Sequence, residues 1–255
     1  YTKQHDGYKK AGDLYYNQGD LVKAMEYYAT GGVIEGYKKF AVELKKANKV
    51  DEYNTVVEII SDTMMSQSKT DEVKKYAVQA ERDNNYKLAS SLYGKLGETK
   101  LQNKYSAYSH MMNLEVIPAK ELFIENGQEE LASEIDKNIK VLTELQQSMF
   151  VLNELKSNVP TVASKVNPHT GKLGYDPNDL KLRKKFYGNP VNQKNISDVA
   201  YNVSKAYKKL DAGAKLAGLV RESLLKYRPI KNILDNYDFS KKIIPINITP
   251  AAVTF

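Results

Sequence analysis

The sequence predicts an all-α protein built from short antiparallel helix pairs. Three observations carry that reading. Apolar and small residues recur at helical spacing in segment after segment. Gly and Asn residues of the kind that end helices separate those segments. The same frame then occurs four times in the first half of the 255-residue chain. No stretch of about 18 apolar residues is present, so no segment reads as a transmembrane helix.

The first element is clearest over residues 8–28. Gly12 and Tyr15 lie on one helix, Gly19-Asp20 makes a turn, and Ala24 and Tyr28 fall four residues apart on a second helix. Small residues at the first crossing then recur as Gly12, Ala41, Ala77 and Ala107. The turn column holds Gly19, Asn48, Asn84 and Leu114. The second-helix column reads Ala24, Tyr53, Ala89 and Ala119, at intervals of 29, 36 and 30. Four residues later stand Tyr28, Val57, Tyr93 and Phe123. Helices approach closely only where a side chain is small, and the recurring bulky residue fills the space between successive pairs. Tyr53, in a small-residue column, predicts a wider crossing. Residues 8–127 resemble the tetratricopeptide repeat, and the resemblance implies an α-solenoid whose surfaces bind other proteins.

Beyond Gly127 the elements change. Residues 128–156 contain no Gly or Pro, and Ile135, Leu142, Leu145, Met149 and Leu152 follow a spacing that predicts one helix. Its length would be on the order of 45 Å. It either caps the repeats or projects as a stalk that pairs with another chain. Pro160, Pro168, Pro177 and Pro190, with Gly171, Gly174 and Gly188, then rule out long helices and leave one basic turn at 180–186. A basic helix is expected from Ser197 to about Lys226, with a stripe of Val199, Val203, Tyr207, Leu210, Ala214 and Ala217. Residues 243–255 read as an extended tail. The organisation is therefore helical repeats over 1–127, a capping or stalk helix over 128–157, and a basic C-terminal region over 158–255.

Charge divides the chain along the same line. Residues 1–157 hold 21 Lys+Arg and 24 Asp+Glu, whereas residues 158–255 hold 17 and 7. The absence of cysteine excludes disulfides, thiolate catalysis and cysteine-ligated zinc. It also suits an exported protein, because stray thiols mispair in an oxidising compartment. The chain begins at Tyr1 with no leader-like segment, and the expectation is that a preceding segment has been removed, either a signal peptide or a deliberate truncation.

No residue pattern predicts catalysis, a cofactor or a metal. His5, His110 and His169 lack metal-ligand spacing, and His110 reads as a packed or edge residue of the fourth repeat. Asp176-Pro177-Asn178-Asp179 lacks the spacing and closing Glu of a calcium loop. The Gly31-Gly32 pair is an interhelical loop and not a phosphate cradle.

These features predict a non-enzymatic interaction or assembly protein of the periplasm or cell surface, part of a cell-envelope complex or filament. In overall character it is similar to spirochaete-type flagellar sheath components. The expected partner is an acidic protein, with self-assembly as a further possibility. Contact residues are Lys181, Arg183, Lys184 and Lys185 for steering, with Phe186, Tyr187, Tyr207 and Tyr227 supplying apolar area. The alternative is a cytosolic adaptor that binds nucleic acid or an acidic partner through the same basic half.

Overall fold

The computed structural model describes residues 2–160, 164–166, 173–175, 177–227 and 230–231, which form thirteen α-helices and one two-stranded hairpin. The expected all-α class is what the structure shows. The C-terminal tail over 243–255 lies outside the described residues.

The chain divides into two compact units, Tyr1–Ser106 and Ala107–Phe255. The first contains α1 (Thr2–Asn17), α2 (Leu21–Gly31), α3 (Ile34–Lys46), α4 (Val50–Ser66), α5 (Thr70–Arg82) and α6 (Tyr86–Lys95). Helix α7 (Thr99–Met112) crosses the division. Within the first unit α1 packs on α2, α3 on α4 and α5 on α6, and successive pairs meet through α2–α3 and α4–α5. This helix-pair packing is compatible with an α-solenoid.

One backbone device recurs at eight helix ends. Gly19, Gly32, Asn48, Ser68, Asn84, Gly97, Leu114 and Gly127 have φ between 54° and 81°. After each, the next residue's N–H donates to the carbonyl five residues back, at 2.7–3.0 Å. The left-handed residue's own N–H donates three residues back, as in Gly19 to Tyr16 and Asn84 to Glu81. This is the Schellman closure, which satisfies carbonyls that a helix end otherwise leaves orphaned. The turnovers expected at Gly19, Asn48, Asn84 and Leu114 are four of these eight.

The turns also explain the uneven period. Gly19 to Gly32, Asn84 to Gly97 and Leu114 to Gly127 each span 13 residues, but Asn48 to Ser68 spans 20. The seven extra residues are in α4, which has 17 residues where α2 has 11 and α6 has 10. Seven residues make about two helical turns, so the face rotates by only about 20°. Val56, Val57, Ile60 and Met64 all remain buried.

The predicted columns are interior. Gly12, Ala41 and Ala77 are buried, and so are Ala24 and Ala89; Tyr53 is half-buried. Tyr28, Val57 and Tyr93 are each at most 2% exposed. Tyr28 shows why the first column is small. A Cβ at Gly12 would lie 2.4 Å from its ring and one at Gly36 would lie 2.2 Å from it, so the ring is clasped between α1 and α3. Its hydroxyl donates to Asp13 Oδ1 at 2.8 Å, and Lys39 Nζ donates to the same oxygen at 2.6 Å. The Lys39 hydrogen bond holds the Asp13 carboxyl below the usual carboxylate range, against an opposing effect of burial.

The second unit holds α8 (Val116–Glu125), α9 (Glu129–Lys137), α10 (Ile139–Ser157), β1 (Ser164–Val166), β2 (Leu173–Tyr175), α11 (Pro177–Gly188), α12 (Pro190–Tyr207) and α13 (Ala214–Leu225). The strands pair antiparallel, with Lys165 opposite Gly174. Ala107, Ala119 and Phe123 are fully buried.

Three sequence expectations are corrected in this unit. The single helix over 128–156 is two, α9 and α10, broken at Asn138, although its stripe of Ile135, Leu142, Leu145, Met149 and Leu152 is buried as expected. The basic helix does not run from Ser197 to Lys226. It starts at Pro190, ends at Tyr207, and resumes as α13 after residues 208–213. Its buried stripe is Ile196, Ala200 and Val203, with Val199 half-buried. The turn at 180–186 is part of a 12-residue helix. Pro177 and Pro190 each stand at the first helical residue, where the missing N–H costs nothing, so they start helices instead of excluding them.

The first two breaks are joined. Asn138 is 4% exposed; its Nδ2 donates to Glu134 O (2.9 Å) and Asp211 O (2.7 Å), and its Oδ1 accepts from Asp211 N (2.8 Å). One buried amide thus satisfies backbone groups in both interruptions. Beside it Glu134 Oε2 accepts from Gly213 N at the start of α13, at 3.1 Å.

Four substitutions test this packing. Gly36→Ala should lower stability by about 1–3 kcal/mol, because the Tyr28 ring cannot retreat from Gly12. Gly7→Ala, with nothing within 4 Å, should stabilise by about 0.5–1 kcal/mol, both differences being read from urea titrations against wild type. Asn138→Ala should cost about 1–3 kcal/mol, since the Asp211 groups lose their partner. Asp13 has a depressed folded pKa, so its contribution is complete above the unfolded pKa and disappears as pH falls through the folded value. The thermal-melt difference between wild type and Asp13→Asn should therefore be largest near neutrality and shrink below about pH 4.

Candidate interaction surface

Lys9, Lys38, Lys74 and Lys104 each stand three residues before a small residue of the first column, and internal carboxylates pair with Lys38 and Lys74. Lys38 pairs with Glu72 at 3.4 Å, Lys74 with Glu98 at 2.7 Å, and Lys39 with Asp13 at 2.6 Å. Lys45 pairs with Asp83 and Lys95 with Asp62. These are links between helices of the first unit.

Helix α11 is different. Asn189 caps the following helix through Val191 N at 2.9 Å. Asn192 Nδ2 donates to Phe186 O (3.0 Å) and Gln193 Nε2 to Tyr187 O (2.7 Å), so α12 holds the end of α11. On α11 Tyr187 is buried, and Asp179, Arg183 and Phe186 are half-buried. At 100° per residue these four occupy one side of the helix, and Lys181, Lys184 and Lys185 centre the opposite side. All three lysines are exposed, and none has an ion pair or hydrogen bond among the described residues. Leu180 and Leu182, 40% and 54% exposed, flank them. The result is a basic ridge with an apolar residue on each shoulder.

The other expected contact residues are used within the unit. Arg183 lies 5.9 Å from the Tyr187 ring centre, and Phe186 meets Tyr187 edge-on at 5.4 Å. Tyr207 OH points at Ala217 O, a long 3.4 Å contact between α12 and α13, and burial raises its pKa. Tyr227 donates to Asn153 Oδ1 of α10 beneath Lys156, whose Nζ is 5.5 Å from the ring; burial pushes its phenol up as well. Lys181, Lys184 and Lys185 therefore come together, while Tyr207 and Tyr227 lie on other elements and join helices. The sequence reading missed Leu180 and Leu182. The missing signal was the full extent of α11, which sets the face of every residue from 178 to 187.

His5 is exposed beside Asp6 at 3.8 Å, and His110 Nδ1 meets Glu115 Oε2 at 2.5 Å across the Leu114 turn. His169 and Asp176 lie outside the described residues. Among the described residues no group of three His, Cys, Asp or Glu is placed to hold a metal ion, and no helix is long and apolar enough to cross a membrane.

What fold and surface define together is a class: an all-α protein of packed helix pairs with an exposed basic helix near its C-terminal end. Protein-family models, curated proteins and solved structures contain no match to the chain.

The split between ridge and packed tyrosines is measurable by urea denaturation. Tyr187→Ala should cost about 3–5 kcal/mol, as for a large buried side chain. Lys184→Ala should change stability by no more than about 0.5 kcal/mol.

Proposed function

We propose that this chain is a non-enzymatic interaction or assembly protein that docks an acidic protein surface on α11. The observation that carries the reading is the unneutralised set Lys181, Lys184 and Lys185 flanked by exposed Leu180 and Leu182. Exposed like charges repel and do not stabilise a helix, so their concentration on one ridge suits recognition better than folding. The lysines steer approach and the leucines provide area removed from water on contact. The repeat columns of residues 8–127 support a tetratricopeptide-like origin for the preceding helices. The cysteine-free composition supports export and a place in a cell-envelope complex or filament.

Affinity capture from the source organism with the intact chain and with Lys181→Gln/Lys184→Gln/Lys185→Gln tests this reading. The intact chain should recover proteins that present an acidic surface at 0.1 M salt and lose them toward 1 M, where the Debye length falls from about 10 Å to about 3 Å. The variant should recover little at either salt. Equal recovery by both chains, or recovery that nuclease abolishes, would contradict it.

A further inference from the structure

The second unit carries its own acidic counterpart to the ridge. Residues 115–157, which hold α8 to α10, contain nine acidic and four basic side chains; residues 177–227, which hold α11 to α13, contain four and eleven. Part of this imbalance is settled internally, by Lys209–Glu144 at 3.7 Å. Around the α8–α9 turn it is not. Glu121, Glu125, Glu129 and Glu130 are exposed, and their carboxylates have no ion pair or hydrogen bond among the described residues.

This acidic face has the same composition plan as the ridge with the sign reversed. Ile117, Glu121 and Ile124 follow one another at i, i+4 and i+7 along α8, and the two isoleucines are 57% and 51% exposed. Carboxylates beside isoleucines on α8 and α9 thus answer lysines beside leucines on α11. Within the unit α11 packs on α12, α12 on α10, and α10 on α8 and α9. Two helices thus intervene in that succession of packed elements between the ridge and the acidic face.

Resting on the docking role proposed for α11, we infer that its acidic partner is the α8–α9 face of a second copy of this chain. The contact joins two different surfaces, so it is heterologous: a pair formed this way keeps one free ridge and one free acidic face. Such contacts continue into an open chain or close into a ring. Charge complementarity fixes the pairing of unlike faces, because ridge against ridge and acid against acid both repel.

Sedimentation velocity on the full chain tests the inference. At low salt the wild type should form species larger than a monomer that grow with concentration and return to monomer at 1 M salt. The ridge variant Lys181→Gln/Lys184→Gln/Lys185→Gln and the face variant Glu121→Gln/Glu125→Gln/Glu129→Gln should each be monomeric, with unchanged circular dichroism melts. Mixed, they should form a one-to-one pair and nothing larger, since only one complementary contact remains between them. A wild type that stays monomeric at all concentrations at low salt would overturn the inference, and so would assembly that either variant leaves unchanged. A monomeric wild type whose ridge still captures acidic proteins would overturn self-association alone and leave the docking role of α11 standing. Loss of both would remove the docking role as well.

Discussion

The left-handed turn that closes helix after helix is the constraint on which the other features depend. It reverses the chain within three residues, because the bonds from the αL residue and its successor satisfy two orphan carbonyls at once. A reversal that tight brings consecutive helices into contact and fixes which faces meet. Small residues are then needed where the helices cross, which is where Gly12, Ala41, Ala77 and Ala89 stand. Non-glycine residues occupy four of the eight positions. A left-handed conformation costs an ordinary L-residue roughly 1–2 kcal/mol, less for asparagine. Ser68 and Leu114 hold that conformation against its intrinsic preference, and for Leu114 the compensation is burial to 1% exposure.

Between turns, the tyrosines of the bulky second-helix column perform different tasks. Tyr28 is gripped by two glycines and hydrogen-bonded to Asp13, whereas Tyr93 reaches Glu81 and stacks on Tyr105 at 5.6 Å. Val57 fills the same column without a polar tip. Burial and a nearby carboxylate both push the Tyr28 and Tyr93 hydroxyls upward, so they stay protonated and can donate at ordinary pH.

How much of this was legible in the sequence depends on whether the signal was local. The turn at Asn84 and the buried Ala77, Ala89 and Tyr93 around it could be read because each repeats at a fixed offset. The break at Asn138 could not. Its neighbours are good helix formers, and the amide's decisive partner, Asp211, is 73 residues away. Pro177 and Pro190 misled for a related reason: proline ends one helix and starts another with equal ease, and only the neighbouring packing chooses. Within the candidate surface, Lys181, Lys184 and Lys185 were legible as a charge run. That Tyr187 faces inward while Leu182 faces outward follows from the phase of α11, which a single expected turn could not supply.

The recurrent turn is also where the account is most directly measured. Native-state hydrogen exchange reports the eight amides that follow the left-handed residues, those of Asp20, Val33, Lys49, Lys69, Asn85, Glu98, Glu115 and Gln128. Each lies at a helix junction, where an amide lacking a Schellman bond would exchange like a loop. All eight should be protected well above neighbouring turn positions, and the protection should fall together as urea unfolds the helix pairs. Exchange of these amides at the rates of an unstructured peptide, with the helix interiors still protected, would contradict the claim that these turns set the packing.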